Sequence, residues 1–240
     1  MYDLTQRQIE ILKRIVREYI DSAEPIGSET LEKKYDLGVS PATIRNEMAQ
    51  MIKLGYLSKP HSSAGRIPTS KAMKFYVSEL MKEKELSLAE TVEEKEKVWD
   101  LRDHQANFLR EITRALAQKT KALAVTTTDT GDVFYSGYSN ILEMPEFYDI
   151  DVTKNLLSLL DNATYFDMMI ARIEQEFAIL LGEEFEEELF RPYSFVMCRF
   201  HTRSNRTGTV GIIGPVRMQY DKVNPWVKYV SSLVEDVADW

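Results

Sequence analysis

The sequence predicts an α+β protein in which an N-terminal winged helix-turn-helix is followed by a linker helix and then by an α/β domain. Three observations predict this class. Three short helical patterns come first, followed by a hairpin pattern punctuated by glycine and proline. Strand-like apolar runs then occur together with helical patterns through the rest of the chain. The two parts also differ in charge: residues 1–84 carry 14 basic and 11 acidic side chains, and residues 85–240 carry 16 and 27.

The composition is that of a globular protein. The chain has 240 residues, of which 44% are hydrophobic and 28% charged, so it is long enough for two domains. A net charge of −8 argues against general adhesion to nucleic acids and leaves room for a local basic patch. A single cysteine, Cys198, excludes an internal disulfide framework. With no signal-peptide or membrane-spanning pattern, we expect a soluble cytoplasmic protein without membrane contacts.

The first helix begins with a capping-box pattern formed by Thr5 and Gln8. Apolar residues at helical spacing follow on one face, namely Ile9, Leu12, Ile15, Val16, Tyr19 and Ile20. This pattern predicts an amphipathic helix with one buried face.

Two further helices follow. Pro25 interrupts the first helix, and Gly27-Ser28 can begin a short second helix that runs to about Tyr35. Ser40 as N-cap and Pro41 at the first helical position begin the third helix, and Gly55 can end it. Three short helices with a tight turn before the third are typical of a helix-turn-helix.

The third helix has two distinct faces. Ile44, Met48 and Met51 share the side expected to pack on the first two helices. The opposite side carries Ala42, Thr43, Asn46, Ala49, Gln50 and Lys53, with Arg45 on the flank. Asn and Gln can read adenine edges bidentately in a major groove, and Arg can read guanine. The alternative for any single polar residue is an ordinary solvated face.

A hairpin-like wing follows Gly55, in which "YLSKP" and "RIPT" flank the small-residue tip "HSSAG". Between Met48 and Ser78 there is no acidic residue, although five cations occur there, Lys53, Lys59, Arg66, Lys71 and Lys74. A segment of this kind in an acidic chain suits a phosphate backbone. We predict DNA contacts from Ser40, Ala42, Thr43, Arg45, Asn46, Gln50, Lys53, Lys59, His61, Ser62, Ser63, Arg66 and Lys71.

Three motifs in order make a family resemblance specific. The segments are "EPIGS", "VSPATIRNEM" and "SAGRIPT", and residues 4–78 as a whole resemble the winged-helix domain of the heat-inducible transcription repressors, the HrcA family. The resemblance implies a repressor that binds an inverted-repeat operator before chaperone operons and leaves it on heat stress. It also implies help from the chaperonin in keeping the repressor active.

A charge-dense segment and an apolar seam follow the wing. We expect a linker helix over residues 79–104, between a DNA-binding domain at 1–78 and a second domain at 105–240. The seam consists of Val98, Leu101, Phe108, Ile112, Ala115 and Leu116 in one helix to about Thr120. It is explained either by core packing or by a dimer interface. We predict a homodimer held by Leu101, Phe108, Ile112, Trp226 and Leu233.

The second domain reads as an antiparallel-leaning sheet with helices on it. Predicted strands are "KALAVTTT", "VFYSGYSNIL", "EFAILLG", "YSFVMCRFHT" and "GTVGIIGPVRM", and predicted helices are "DVTKNLLSLLD", "ATYFDMMIARIEQ" and "VNPWVKYVSSLVEDV". The segments "GYSNILEMPEF" and "GIIGPVRMQYDKV" resemble the GAF-like domain of the same family. Members usually carry a long inserted dimerisation subdomain where this chain has only "TTTDTGD".

No constellation typical of an enzyme or a metal site is found in the sequence. His61, His104 and His201 lack the paired spacing of metal ligands, and Cys198 in an apolar strand is interpreted as a buried small hydrophobe. The acidic run from Glu183 to Glu188 lacks calcium-loop spacing. We therefore expect no enzyme activity, no metal and no cofactor. Two alternatives stay open: a ligand-sensing regulator with an effector site in the second domain, and a winged helix used for protein contacts.

Overall fold

The chain forms two compact units, Met1–Lys82 and Glu83–Trp240. The computed structural model describes residues 3–61, 64–162, 175–185, 188–238 and 240. Each unit has its own buried core.

The first unit is a winged helix-turn-helix. Its helices are α1 (Gln6–Ser22), α2 (Ser28–Lys34), α3 (Pro41–Lys53) and α4 (Ser70–Phe75), and α4 continues as a π-helical turn over Tyr76–Leu80. Its strands are β1 (Leu57–Ser58) and β2 (Ile67–Pro68), which pair antiparallel as the base of the wing. The three predicted helices and the hairpin that follows them are confirmed.

Local sequence explains how α1 begins and which face it buries. Thr5 and Gln8 form both hydrogen bonds of the predicted capping box. The buried residues of α1 are Gln8, Ile11, Leu12, Ile15, Val16 and Ile20. The apolar members of this set, together with the buried Leu31, Ile44 and Met51, make up much of the core of the unit.

The second unit begins with two helices, α5 (Leu88–Trp99) and α6 (Gln105–Thr120). It continues with β3 (Leu123–Thr128), β4 (Val133–Ser136), α7 (Tyr138–Ile141), a 3-10 turn (Pro145–Tyr148) and α8 (Ile150–Leu160). From residue 175 onward the unit contains β5 (Phe177–Leu181), short 3-10 turns (Gly182–Glu184 and Glu188–Phe190), β6 (Tyr193–His201), β7 (Thr207–Pro215) and α9 (Tyr220–Val237). The α+β class is confirmed.

The five strands form one antiparallel sheet in the order β4-β3-β7-β6-β5. Successive side chains of a strand point to opposite faces, and β3 is buried along its whole length, so both faces of the sheet are covered. Leu123 and Val125 belong to the apolar cluster that includes Leu156 and Leu159 of α8. On the other face, the Thr126 hydroxyl lies 2.7 Å from the Thr113 hydroxyl of α6.

Two predicted elements of this unit differ from the structure or lie outside the described residues. The predicted strand "VFYSGYSNIL" is too long, because the strand ends at Ser136 and a helical turn begins after Gly137. Gly137 has φ of 92°, and a Cβ there would lie 2.4 Å from the Ala122 carbonyl oxygen, so the chain reverses where only glycine fits. The predicted helix "ATYFDMMIARIEQ" falls almost wholly on residues 163–174, which lie outside the described residues.

The prediction of a continuous apolar seam is wrong. Val98 belongs to α5 and Phe108 to α6, and a turn over residues 100–103 separates the two helices. Four of the five residues predicted to hold a homodimer are buried inside their own unit, namely Phe108, Ile112, Trp226 and Leu233. A side chain with almost no exposed surface cannot contact a second copy. The core-packing explanation of the seam is therefore correct for Phe108 and Ile112. Trp226 and Leu233 of the last helix are also core residues, whereas Leu101 is only partly buried.

Candidate nucleic-acid interface

Helix α3 has strong boundaries at both ends. The Ser40 hydroxyl accepts a hydrogen bond from the Thr43 amide at 3.3 Å, and Pro41 occupies the first helical position. At the other end Gly55 has φ of 77°, and Lys71 donates to the Leu54 carbonyl oxygen at 2.9 Å. Caps that are visible in the sequence therefore fix the length of the helix. The hydrogen bond from Lys71, which lies on α4, further stabilises its C-terminal end.

The two faces of α3 are those predicted. Ile44, Met48 and Met51 are buried. On the opposite side, the exposed residues are Ala42, Arg45, Asn46, Ala49, Gln50 and Lys53, and Thr43 is half-buried. Ser40 is exposed but its hydroxyl is used in the helix cap. Small side chains beside two amides leave this face able to approach a base-pair edge closely.

A hydrogen-bond network at the C-terminal half of α3 was missed by the sequence analysis. The buried Gln8 side chain of α1 donates to Glu47 at 3.0 Å and to Gln50 at 3.1 Å. Arg7 lies 3.4 Å from the other Glu47 oxygen. Glu47 is the only carboxylate of α3, and these partners counter its charge next to the predicted DNA-contacting face.

The wing is attached to the segment between α1 and α2. The backbone amides of Ile26 and Arg66 each donate to the carbonyl oxygen of the other, at 2.9 and 2.8 Å. A Cβ on Gly65 would lie 2.6 Å from the Ile26 backbone, so this approach requires glycine. The motifs "EPIGS" and "SAGRIPT" are thus in direct contact.

The predicted cations of the wing are not equivalent. Lys59 and His61 are exposed, whereas Ser62 and Ser63 lie outside the described residues. The Arg66 guanidinium is half-buried and donates to the carbonyl oxygens of Ala64 and Gly65. Besides bonding to Leu54, the Lys71 ammonium lies 4.3 Å from the centre of the Tyr56 ring. Lys71 is exposed like Lys59 but also supports the end of α3, and the phosphate contacts of both lysines stay predictions.

A cleft of about 390 Å³ lies between the start of α2, helix α3 and the wing. Arg45, Lys59 and Arg66 contribute to its walls, and among the described residues that line it Glu29 is the only acidic one. The predicted base-reading helix and the predicted phosphate-contacting wing therefore meet at a shared, largely cationic surface.

The candidate residues for other chemistry are dispersed. Cys198 is buried in β6, where burial raises the pKa of its thiol, and its interpretation as a buried small side chain is confirmed. Among the residues that the structure describes, no group of three or more His, Cys, Asp or Glu side chains is arranged to hold a metal ion. None of the helices in the described ranges combines the length and apolar character that crossing a bilayer requires.

Comparison with known proteins gives two family matches. Residues 3–82 match a family described as "Winged helix-turn-helix transcription repressor, HrcA DNA-binding", and residues 69–224 match "HrcA protein C terminal domain". The heat-inducible transcription repressor HrcA of Desulforudis audaxviator is 29% identical over 338 residues, covering 98% of each chain. The repressor of the same name from Halalkalibacterium halodurans is 27% identical over 328 residues, covering 95% of this chain and 96% of its own.

Both alignments are longer than the 240 residues of this chain, so these relatives contain residues that have no counterpart here. In this chain a tight turn, with Gly131 at φ of 85°, joins β3 to β4. A crystal structure at 2.2 Å of a protein described only as hypothetical is similar in fold. Its TM-score is 0.84 at 18% identity, with 98% of each chain covered.

Proposed function

The chain belongs to the HrcA family of heat-inducible transcription repressors, and from this membership we propose that it binds operator DNA through α3 and the wing. It is a DNA-binding repressor of heat-shock genes. The observation that carries the proposed binding surface is the exposed face of α3. Asn46 and Gln50 lie there beside the acid-free segment that supplies Lys53 and Lys59.

The operator that we propose is an inverted repeat. Its two half-sites are related by a two-fold axis, so two copies of the chain must present their wings at a fixed separation. We therefore propose a homodimer acting in the cytoplasm on double-stranded DNA. The part of the proposal that gives the chaperonin a role in keeping the repressor active rests on the family resemblance alone.

We propose that the second unit is a GAF-like domain that pairs two copies or receives a signal. Its antiparallel sheet, covered on both faces, supports this assignment. The two segments that carried the family resemblance also contact each other. Arg217 of one segment forms a bidentate ion pair with Glu146 of the other, in which Nη2 donates to Oε2 at 3.0 Å and Nε donates to Oε1.

We propose that the second copy binds the exposed apolar face of α5, because four of the five residues predicted from the sequence to hold the dimer are in the core. Leu88, Val92 and Trp99 are exposed, and Trp99 lines an open groove of about 360 Å³ together with Val92, Lys95 and Glu96. If two α5 helices pair antiparallel about an axis between positions 95 and 96, each Lys95 faces Glu96 of the partner subunit. Each Val92 then faces Trp99 of the partner subunit. This self-complementary pattern favours a second copy as the occupant.

The binding surface is tested with the full-length protein, wild type and variants, on inverted-repeat DNA and on random duplex. We expect Asn46→Ala to cost about 1 to 3 kcal/mol on operator and little on random DNA, because Asn46 would contact bases. We expect Lys59→Ala to weaken binding to all sequences and to lower the salt slope by about one unit.

Lys33→Ala, which removes an exposed cation at the end of α2, is the matched control and should leave the slope unchanged. Gel shifts with and without heating complete the test. If the wild-type chain binds no duplex specifically at any temperature, the proposal fails. The ligand-sensing regulator and the protein-contact winged helix would then become the better explanations.

A further inference from the structure

The orientation of the Gln8 amide is fixed by a backbone group. The Thr5 N–H, which can only donate, lies 2.9 Å from Gln8 Oε1. The oxygen of the Gln8 amide must therefore point to Thr5, and its nitrogen must point the other way, toward α3. Gln8 is only 2% exposed, so the protein rather than solvent determines this orientation.

Both hydrogens of the Gln8 nitrogen have acceptors on α3. One goes to Glu47 Oε2 at 3.0 Å and the other to Gln50 Oε1 at 3.1 Å. The two N–H groups of Gln8 thus bond to two acceptors on α3, and the Gln50 oxygen points inward to Gln8. Within the described part of the chain the Gln50 nitrogen makes no hydrogen bond, and the exposed side chain presents its two N–H groups outward.

We propose that Gln8 is a positioning residue that makes Gln50 a donor-only reader of DNA, favouring guanine at the base pair it contacts. Guanine offers two acceptors in the major groove, O6 and N7. Adenine pairs bidentately with an amide only if the amide also accepts, and the Gln50 oxygen is turned inward to Gln8, away from the side on which its N–H groups lie. This replaces the earlier expectation that Gln50 reads adenine, and Asn46 keeps both of its amide groups for that role.

The inference rests on the proposed function and is tested by selecting binding sites from random-sequence duplex DNA with full-length protein. The position contacted by Gln50 is the one whose base preference is lost in Gln50→Ala. We expect the wild type to prefer guanine over adenine there by roughly tenfold or more. A preference for adenine, or no change in any base preference in Gln50→Ala, would overturn the inference.

An exchange of the two inner residues should reverse the donor pattern. In Gln8→Glu with Glu47→Gln, the new carboxylate at position 8 can still accept from the Thr5 N–H and from the new amide at position 47. It can also accept from the Gln50 nitrogen, which turns the Gln50 oxygen outward. We expect the guanine preference to change to one for bases with an exocyclic amine, adenine or cytosine. An unchanged guanine preference in a folded exchange variant would contradict the role of Gln8.

If circular dichroism shows that the exchange variant does not fold, a second pair of variants tests whether Gln50 acts only as a donor. Gln50→Lys supplies only donors and should keep the guanine preference, measured as the affinity ratio of two duplexes that differ at that base pair. Gln50→Glu supplies only acceptors and should lose it. Equal ratios for the two variants would overturn the inference. Failure of the proposed function is recognised separately, since the wild type would then select no consensus sequence at all.

Discussion

Glu18 joins the first two helices at a single carboxylate. It accepts a hydrogen bond from Tyr35 at 2.7 Å and forms an ion pair with Lys34, both at the C-terminal end of α2. These hydrogen bonds from Lys34 and Tyr35 lower the pKa of Glu18. Burial, together with the bond to Glu18, raises the pKa of Tyr35 to about 12. The Glu18 carboxylate therefore helps to hold α1 against the end of α2.

We expect Glu18→Gln to lower the free energy of unfolding of the first unit by about 1 to 2 kcal/mol at neutral pH. Since the folded-state pKa lies below the unfolded value, the wild-type contribution is complete above about pH 5 and is lost as pH falls through the folded-state pKa. Urea unfolding at several pH values measures it. Glu32→Gln, at an exposed position of α2, is the control and should change little. Equal losses in both variants would contradict this role of Glu18.

At the scale of elements, Gly65 determines how closely the wing approaches the loop before α2. We expect Gly65→Ala to destabilise the first unit by about 1 to 3 kcal/mol, because the added Cβ would collide with the Ile26 backbone. Thermal or urea unfolding measures the loss. Gly27→Ala is the matched control, since its Cβ would meet only the Thr30 hydroxyl at an ordinary 3.7 Å. A Gly65→Ala variant as stable as Gly27→Ala would show that the contact is not tight.

The elements that sequence predicted well are those set by local signals. Ser40 and Pro41 begin α3, and apolar spacing assigns its inner face, because both depend on residues within one or two turns. The hydrogen bond from Gln8 to Gln50 joins residues 42 positions apart in the sequence, so no local sequence pattern could predict it. The prediction of one continuous helix from Val98 to Thr120 was wrong because no glycine or proline marks the turn before α6. The N-cap of α6, His104, also makes no side-chain capping bond.

At the scale of the whole molecule, the proposed inverted-repeat operator would need two copies of the chain, and the exposed face of α5 is the proposed contact between them. We expect Trp99→Asp to shift the protein to monomer in sedimentation over a concentration series, and to weaken operator binding accordingly, because it places a charge in an apolar contact. Leu142→Asp changes an exposed apolar residue elsewhere in the second unit and should remain dimeric. Dimers of undiminished stability in Trp99→Asp would exclude this face.

The paired amides of Ile26 and Arg66 have a consequence for how the DNA-binding surface responds to temperature. Because each amide bonds to the other segment, the base of the wing cannot separate from the loop before α2 without breaking both hydrogen bonds, which couples the opening of the two segments. Residues that open together melt together, and the transition grows steeper as more of them take part. The helices and wing of the first unit should therefore lose their structure as one cooperative body. Such a unit changes from a complete reading surface to none over a narrow interval of heating.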